Sequence, residues 1–236
     1  MALIHDGPGV TLMREDRPGS YAARNAAIAR ARGEFFAFTD ADCVPEPYWL
    51  KQAQEAMHAT GGAIAIGPRV CPQDSSLGVH LLQDYEIAKM EHILKQLPSR
   101  FAFGLCGNMI VRADVFRRVG MFDEWERAAD TAYAHRVIQC NPEYRMVFWP
   151  SMCVTHLGDR TTGQALRKIF VYGASNTRPA RHNGYSPLDI GQRWEVWRLC
   201  CRNPRYRAWH RLLLFCLLGS GGLLYNTGEL KGRLCH

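Results

Sequence analysis

Several features are missing from these 236 residues, and each absence narrows what the chain can be. The nine cysteines include no C-x-x-C pair. Their odd number does not suit a disulfide framework, so reduced thiols in a cytosolic setting are expected, without a zinc site. No basic, apolar, small-residue leader opens the chain. The longest apolar run, Leu212 to Leu218, falls short of the ~20 residues a spanning helix needs. The basic residues come with no nucleic-acid fold signature, so nucleic acid is not an expected partner. What is present suits a globular protein with one core: 47% hydrophobic and 22% charged residues. The net charge of +7 is uneven. From Gln192 onward stand eight basic residues (Arg193, Arg198, Arg202, Arg205, Arg207, Arg211, Lys231, Arg233) against Glu195 and Glu229. The excess positive charge therefore belongs to the tail.

The most informative stretch is Glu34-Phe35-Phe36-Ala37-Phe38-Thr39-Asp40-Ala41-Asp42-Cys43-Val44-Pro45. Phe35 to Phe38 reads as a buried strand, and Pro45 stops it. At the carboxyl end of a strand the chain turns, so Asp40 and Asp42 can lean toward one cation. Hard divalent ions such as Mg²⁺ or Mn²⁺ take carboxylate oxygens and share their remaining positions with water or phosphate. In open α/β sheets, ligands bind outside the carboxyl ends of the strands. A solvated acidic turn is the alternative reading of Asp-x-Asp alone.

The flanks add specificity. Ser20 to Arg32 is alanine-rich, with Ser20 as N-cap and Gly33 as stop, and predicts a helix that packs Ala22, Ala26 and Ala29 on the sheet. Pro47 to Thr60 predicts a second helix, with Trp49, Leu50, Ala53 and Met57 inward. The sequence Ala-Arg-Asn (23–25), then Gly33-Glu34, the apolar strand, Asp-x-Asp and Pro47-Tyr48-Trp49-Leu50 resembles the heart of the family-2 glycosyltransferases. A second block, Gly107-Asn108-Met109-Ile110-Val111-Arg112, is similar to that family's Gly-x-Asn strand. The resemblance spans roughly residues 10–175 in ordered blocks.

The resemblance implies an α/β, GT-A fold: Rossmann-like, with a mixed sheet and flanking helices. It implies an inverting, metal-dependent transfer of sugar from a nucleotide-sugar donor to a glycan or lipid-linked acceptor. On this reading Asp40, Asp42 and His156 hold Mn²⁺ or Mg²⁺. Arg24, Asn25, Asp40 and Ala41 line the donor side, and Gly107 and Asn108 shape the acceptor pocket. Asp130 is the base that takes the acceptor's hydroxyl proton, and Arg167 offsets diphosphate charge. Each has a plainer alternative: a surface cation for Arg24, a local cap for Asn25, a core strand amide for Asn108, a helix N-terminal carboxylate for Asp130, a structural imidazole for His156 and a solvated face for Arg167.

Two departures stand out. Family members carry a Glu before the base, where this chain has Ala129; Glu124 or Glu126 are the nearest substitutes. Residues 1–17 show no match to the family's first βαβ unit, apart from a short strand candidate at Val10–Met13. The resemblance thus implies an N-terminally truncated domain with an exposed sheet edge, and it leaves a catalytically silent, binding or membrane-associated module as the alternative function.

The remaining stretches are less specific. The amphipathic segment 75–97 is read as a helix with His80, Asp84, Glu86 and His92 on a solvated face. Residues 176–191 form a loop that separates a domain at 1–175 from a basic and apolar helical tail at 176–236. Arginine and tryptophan around a short apolar helix suit a membrane surface, which places the protein in the cytoplasm, peripheral on the inner face of the plasma membrane. A buried helix is the alternative.

Overall fold

The computed structural model describes residues 9–96, 103–124, 128–175 and 188–234. Two small sheets carry the fold. The first has the order β1-β5-β3-β6, built from β1 (Phe35–Thr39), β3 (Ile64–Ile66), β5 (Asn108–Arg112) and β6 (Met146–Phe148). β5 runs antiparallel to both β1 and β3, while β3 and β6 are parallel, so the sheet is mixed. The second has the order β2-β7-β4, from β2 (Cys43–Pro45), β4 (Arg69–Val70) and β7 (Val154–His156). Here β2 is antiparallel and β4 parallel to β7. Helices α1 (Ser20–Arg30), α2 (Trp49–Thr60), α3 (Leu77–Gln96), α4 (Ala113–Val119) and α5 (Ala129–Cys140) flank the sheets. Helices α6 (Thr162–Ser175), α7 (Ile190–Cys200) and α8 (Ala208–Leu234) complete the chain.

β1 is an edge strand among the described residues, and its aromatics are only partly covered. This corrects the expectation of a fully buried strand. Phe36 and Phe38 nevertheless anchor it, because both pack on Phe116 of α4. The strand expected at Val10–Met13 does not form beyond an isolated bridge at Val10, and residues 11–16 are irregular. They are tied instead by ion pairs, chiefly Arg17 with Glu15 and with Glu124.

α1 buries Tyr21, Ala22, Asn25 and Ile28, while Ala29 is exposed. The inward face is thus rotated from the alanine stripe expected, because the larger Tyr21 and Ile28 bury more apolar surface than alanine. Ser20 is the first helical residue and not the cap; its hydroxyl accepts from Arg24 at 2.9 Å. On α2, Leu50 points outward and Ala56 takes the inward position. Gly61 ends that helix at φ 62°, a left-handed conformation that glycine adopts without a Cβ clash.

α3 is the hub of the carboxyl-terminal half. Leu81 and Tyr85 join Val196, Cys200, Tyr206, Leu214 and Leu217 in one apolar cluster. Tyr206 also donates to Asp84 at 2.7 Å. His92, expected on a solvated face, is buried, with Nε2 3.8 Å from Glu195. The tail helices therefore pack on the body through α3.

α8 is one continuous helix through Gly219-Ser220-Gly221-Gly222. Further along, its inner face meets α6. Gly228 and Gly232 lie against the α6 backbone at Phe170 and Ala174, and Gly173 of α6 lies against Tyr225, with no room for a Cβ at any of the three. Close helix approach of this kind, through a small-residue spacing of four, recovers the packing that glycine forgoes.

Candidate active site

The turn after β1 is closed by a hydrogen bond from the Cys43 amide to the Asp40 carbonyl at 3.0 Å. Ala41 and Asp42 lie at its exposed apex. The register of β2 on β7 sets Cys43 opposite His156. The Leu157 amide then donates to the Asp42 carbonyl at 2.8 Å. These contacts bring His156 Nε2 to 3.3 Å from Asp42 Oδ2.

Asp40 is held from the other side. Arg24 Nη2 donates to its Oδ1 at 2.5 Å, and the guanidinium lies over the Tyr21 ring at 5.1 Å. Gly107, in the loop before β5, is the floor. A Cβ there would sit 2.9 Å from Asp40 Oδ2 and 3.3 Å from the Arg69 side chain. The ligand atoms of Asp40, Asp42 and Cys43 lie within 4.8 Å of one another.

The donor set discriminates among ions. Burial pushes the Cys43 thiol up, keeping it protonated, and a neutral thiol is a poor partner for a hard cation. Two carboxylates suit Mg²⁺ or Mn²⁺. For His156, burial, then Lys168 and Arg69, lower its pKa and outweigh the opposing pull of Asp42. A neutral imidazole follows, as a metal ligand requires. Its Nδ1 accepts from the Gly158 amide at 3.3 Å, which puts the proton on Nε2. Ligation through Nε2 therefore needs the other tautomer and the loss of that long bond.

Asp130 stands in the first turn of α5, and its carboxylate has three donors. Tyr21 gives its hydroxyl to Oδ1 at 2.9 Å, and the Thr131 amide donates to the same oxygen at 2.9 Å. The Cys106 amide donates to Oδ2 at 3.0 Å. Burial first, then Asp130, push the Tyr21 phenol up, so it stays protonated and able to donate. Gly104 lies against the Asp130 backbone, where a Cβ would collide. The Cys106 thiol is pushed well up by burial and then by Asp130, with Arg24 and Asp40 also acting on it. The backbone amide of Cys106 is the group that touches Asp130.

Arg24 and Gly107 thus meet Asp40, Tyr21 of the same helix meets Asp130, and His156 meets Asp42. Asn25 does not join them. It is buried, and it exchanges two hydrogen bonds with the Phe122 backbone, at 2.9 Å and 3.1 Å. Asn108 is 0% exposed. It accepts from Trp49 Nε1 at 2.8 Å and donates to the carbonyls of Pro68 and Met152 at 2.8 Å and 2.7 Å. It has no face to offer an acceptor, and it joins α2 to the loops beside β4 and β7. Arg167 is exposed, and the α6 cation that acts on His156 is its neighbour Lys168, paired with Asp159 at 2.9 Å. Ala129 is fully buried in the main core, so no carboxylate fits there. Glu124 is engaged by Arg17 and Asn25 and does not replace it; Glu126 lies outside the described residues.

Sequence reasoning missed Tyr21 and Arg69. Tyr21 stands three residues before Arg24 on one helix, a spacing that puts both on one face. Nothing local marks Arg69, which reaches the site only through the pairing of β4 with β7.

The comparisons with known proteins bear on family and fold. Residues 2–120 match the family described as Glycosyl transferase family 2, and the chain belongs to that family. The glycosyltransferase AglE of Haloferax volcanii is 31% identical over 145 residues, covering 56% of this chain and 47% of its own length. The chain thus spans about half of that relative. A solved structure of the mannosyltransferase PcManGT from Pyrobaculum calidifontis, in complex with GDP-Man and Mn²⁺, superposes with a TM-score of 0.51 at 16% identity. The match covers 94% of this chain and 66% of that one, and supports the GT-A fold.

Proposed function

We propose that the chain transfers a sugar from a nucleoside-diphosphate sugar to an acceptor hydroxyl on a glycan or lipid-linked acceptor, with inversion at the anomeric carbon. The observation that carries this reading is the approach of His156 to Asp42, beside an Asp40 fixed by Arg24. Together these side chains would hold Mn²⁺ or Mg²⁺. Such a cation supplies charge neutralisation for a departing diphosphate. Arg69 and Lys168 add positive charge beside it, in the part first given to Arg167. Asp130 takes the proton of the attacking hydroxyl. Gly107, on the acceptor side in the sequence reading, leaves room for Asp40 and Arg69, and the Ala41 turn contributes main-chain groups to the donor side. The mannosyltransferase solved with GDP-Man and Mn²⁺ makes GDP-mannose the first donor to test.

The exposed face of α8 supports a membrane partner. Trp209, Leu212, Phe215, Leu223 and Leu230 are each about half exposed or more, and they share one helical stripe. The 25 residues from Ala208 to Gly232 are long and apolar enough to cross a membrane by length and composition, with 17% of the most apolar window buried. The arginines at its amino end add attraction to anionic lipid, which favours a place at the inner face of the plasma membrane.

The test is nucleoside diphosphate release from GDP-mannose and UDP-sugars with Mn²⁺, comparing wild type with Asp42→Asn and Asp130→Asn. Loss of release in both variants is expected, and product anomer analysis by NMR reads the stereochemistry. Folded wild-type protein that releases nothing from any donor, with or without added acceptor, would sink the enzyme reading and leave the silent binding module.

A further inference from the structure

Asp130 is held by an unusually complete set of donors for a group assigned to take a proton, and their distribution between its two oxygens is uneven. Oδ1 accepts from both the Tyr21 hydroxyl and the Thr131 amide, each at 2.9 Å. Oδ2 accepts from the Cys106 amide alone, at 3.0 Å. A carboxylate oxygen offers about two acceptor directions. Oδ1 is thereby filled and Oδ2 keeps one direction open. Of the three donors, two are main-chain groups fixed by α5 and by the 104–107 loop. The side-chain donor is Tyr21, from a helix distant in sequence.

We propose that Tyr21 is a positioning residue for Asp130: it fixes the carboxylate rotamer, so that Oδ2 is the oxygen presented to the attacking hydroxyl. Asp130 sits in the first turn of α5, where its side chain would otherwise be free to fold back on the helix N-terminus, as the Thr131 contact already shows. Ala129 beside it is buried and carries no polar group that could restrain it. Tyr21 supplies that restraint from α1. Its ring is itself locked, packed on Phe122 at a centroid distance of 5.7 Å and under the Arg24 guanidinium at 5.1 Å. Arg24 in turn binds Asp40. One face of α1 therefore sets both carboxylate centres, and the distance between them follows from the rigidity of a single helix. The oxygen that takes the proton and the oxygens that face the leaving group are registered against each other without any contact between Asp40 and Asp130.

The proposal rests on Asp130 acting as the base, and its test separates the two. Tyr21→Phe keeps the ring, its packing on Phe122 and the stacking of Arg24, and deletes only the hydroxyl. Donor cleavage is followed by nucleoside diphosphate release from GDP-mannose and UDP-sugars with Mn²⁺, water serving as the nucleophile. For Tyr21→Phe, kcat is expected to fall by about tenfold or more with KM for the donor and the Mn²⁺ concentration for half-activation unchanged, because ground-state binding does not use the hydroxyl. In an Asp130→Asn background, Tyr21→Phe is expected to change the residual rate by less than about twofold, since a positioning residue has nothing left to position. Tyr21→His and Tyr21→Gln, which retain a donor, are expected to recover part of the rate. A Tyr21→Phe enzyme with wild-type kcat, while Asp130→Asn is inactive, overturns the positioning role and leaves the base intact. An Asp130→Asn enzyme with wild-type kcat overturns the base and the positioning role together. Equal losses from Tyr21→Phe in both backgrounds show an effect that does not run through Asp130, and also overturn the proposal. Should wild type cleave no donor, the reading of Asp130 fails, and the proposal with it. A thermal-unfolding cycle of the same variants then still reports whether the Tyr21–Asp130 bond forms.

Discussion

His156 Nε2 lies 3.3 Å from Asp42 Oδ2, and this contact joins the end of β7 to the turn that follows β1. The two residues are far apart in sequence and meet because β2 and β7 pair with Cys43 opposite His156. If they share a cation, His156→Ala should raise the Mn²⁺ concentration for half-activation by on the order of 10–100-fold, the scale seen when metal-site partners are removed. Saturating metal should restore much of the rate. Direct Mn²⁺ binding followed by electron paramagnetic resonance checks the same point without substrate, and an unchanged affinity would remove His156 from the ligand set.

Asn108 offers a different outcome from the acceptor contact that the Gly-x-Asn resemblance implies. Its amide is buried, with bonds to Trp49, Pro68 and Met152. Asn108→Ala leaves the Trp49 indole N–H and two carbonyls without their partner. Each buried group so stranded costs about 1–3 kcal/mol. Urea unfolding should show a loss of at least about 2 kcal/mol, with KM for any acceptor unaffected in the protein that remains folded. Native stability combined with a raised acceptor KM would return Asn108 to the pocket.

The elements carried by local pattern were legible in the sequence: the alanine-rich helix, the Phe35–Phe38 strand, the helix from Trp49 and the strand at Asn108 all form where the residues indicate. The contact of His156 with Asp42, and the contacts of one helix with both Asp40 and Asp130, are what the structure adds to the residues that the resemblance named. What was not legible depends on long-range pairing. Asn25 and Asn108 look alike in a motif whether they face a ligand or a carbonyl, and only their burial distinguishes them. Arg69 enters the site through a two-residue strand that no periodicity marks. The packing of Gly228 and Gly232 of α8 on α6 is likewise long-range, and no local pattern marks it.

That last point makes an opposed pair of predictions. A Cβ at Gly228 would collide with the Phe170 carbonyl, while at Gly219 nothing lies within 4 Å. Gly228→Ala should destabilise the α6–α8 contact by about 1–3 kcal/mol, the scale of overpacking. Gly219→Ala should stabilise α8 by up to about 1 kcal/mol through helix propensity alone. Hydrogen exchange across α6 and α8 resolves the two. The same sign for both substitutions would mean that the helices do not meet at Gly228.

A pH dependence follows from His135. Burial lowers its pKa from the ordinary 6.5. Below that value the unfolded chain takes up a proton that the folded chain resists, so stability rises with pH in this window. The contribution is fully present above the unfolded-state value and is lost as pH falls through the folded one. His156, also lowered, adds to the same slope. Urea unfolding between about pH 7 and about pH 5 should show wild type losing stability on acidification, and His135→Phe should flatten that slope by up to one proton. An unchanged slope in the variant would show that His135 titrates alike in both states.

The exposed stripe of α8 carries the last prediction. Leu212 and Leu223 are 64% and 71% exposed, on the face opposite Leu214 and Leu217, which pack in the apolar cluster with α3 and α7. Their substitution should leave the fold unmoved. If the stripe enters lipid, the protein should float with vesicles containing anionic lipid, and the double substitution Leu212→Glu with Leu223→Glu should reduce that binding by at least tenfold. Removing the amino-end cations, with Arg205→Gln, Arg207→Gln and Arg211→Gln together, should weaken binding to anionic vesicles while leaving binding to neutral ones unchanged, because each cation near such a surface contributes ~1 kcal/mol. Salt separates the modes: a helix lying at the interface releases in high salt, whereas one inserted across the bilayer stays. Wild type that ignores vesicles yet sediments as a dimer, a state lost in the same leucine variant, would assign the stripe to a second copy of the chain instead.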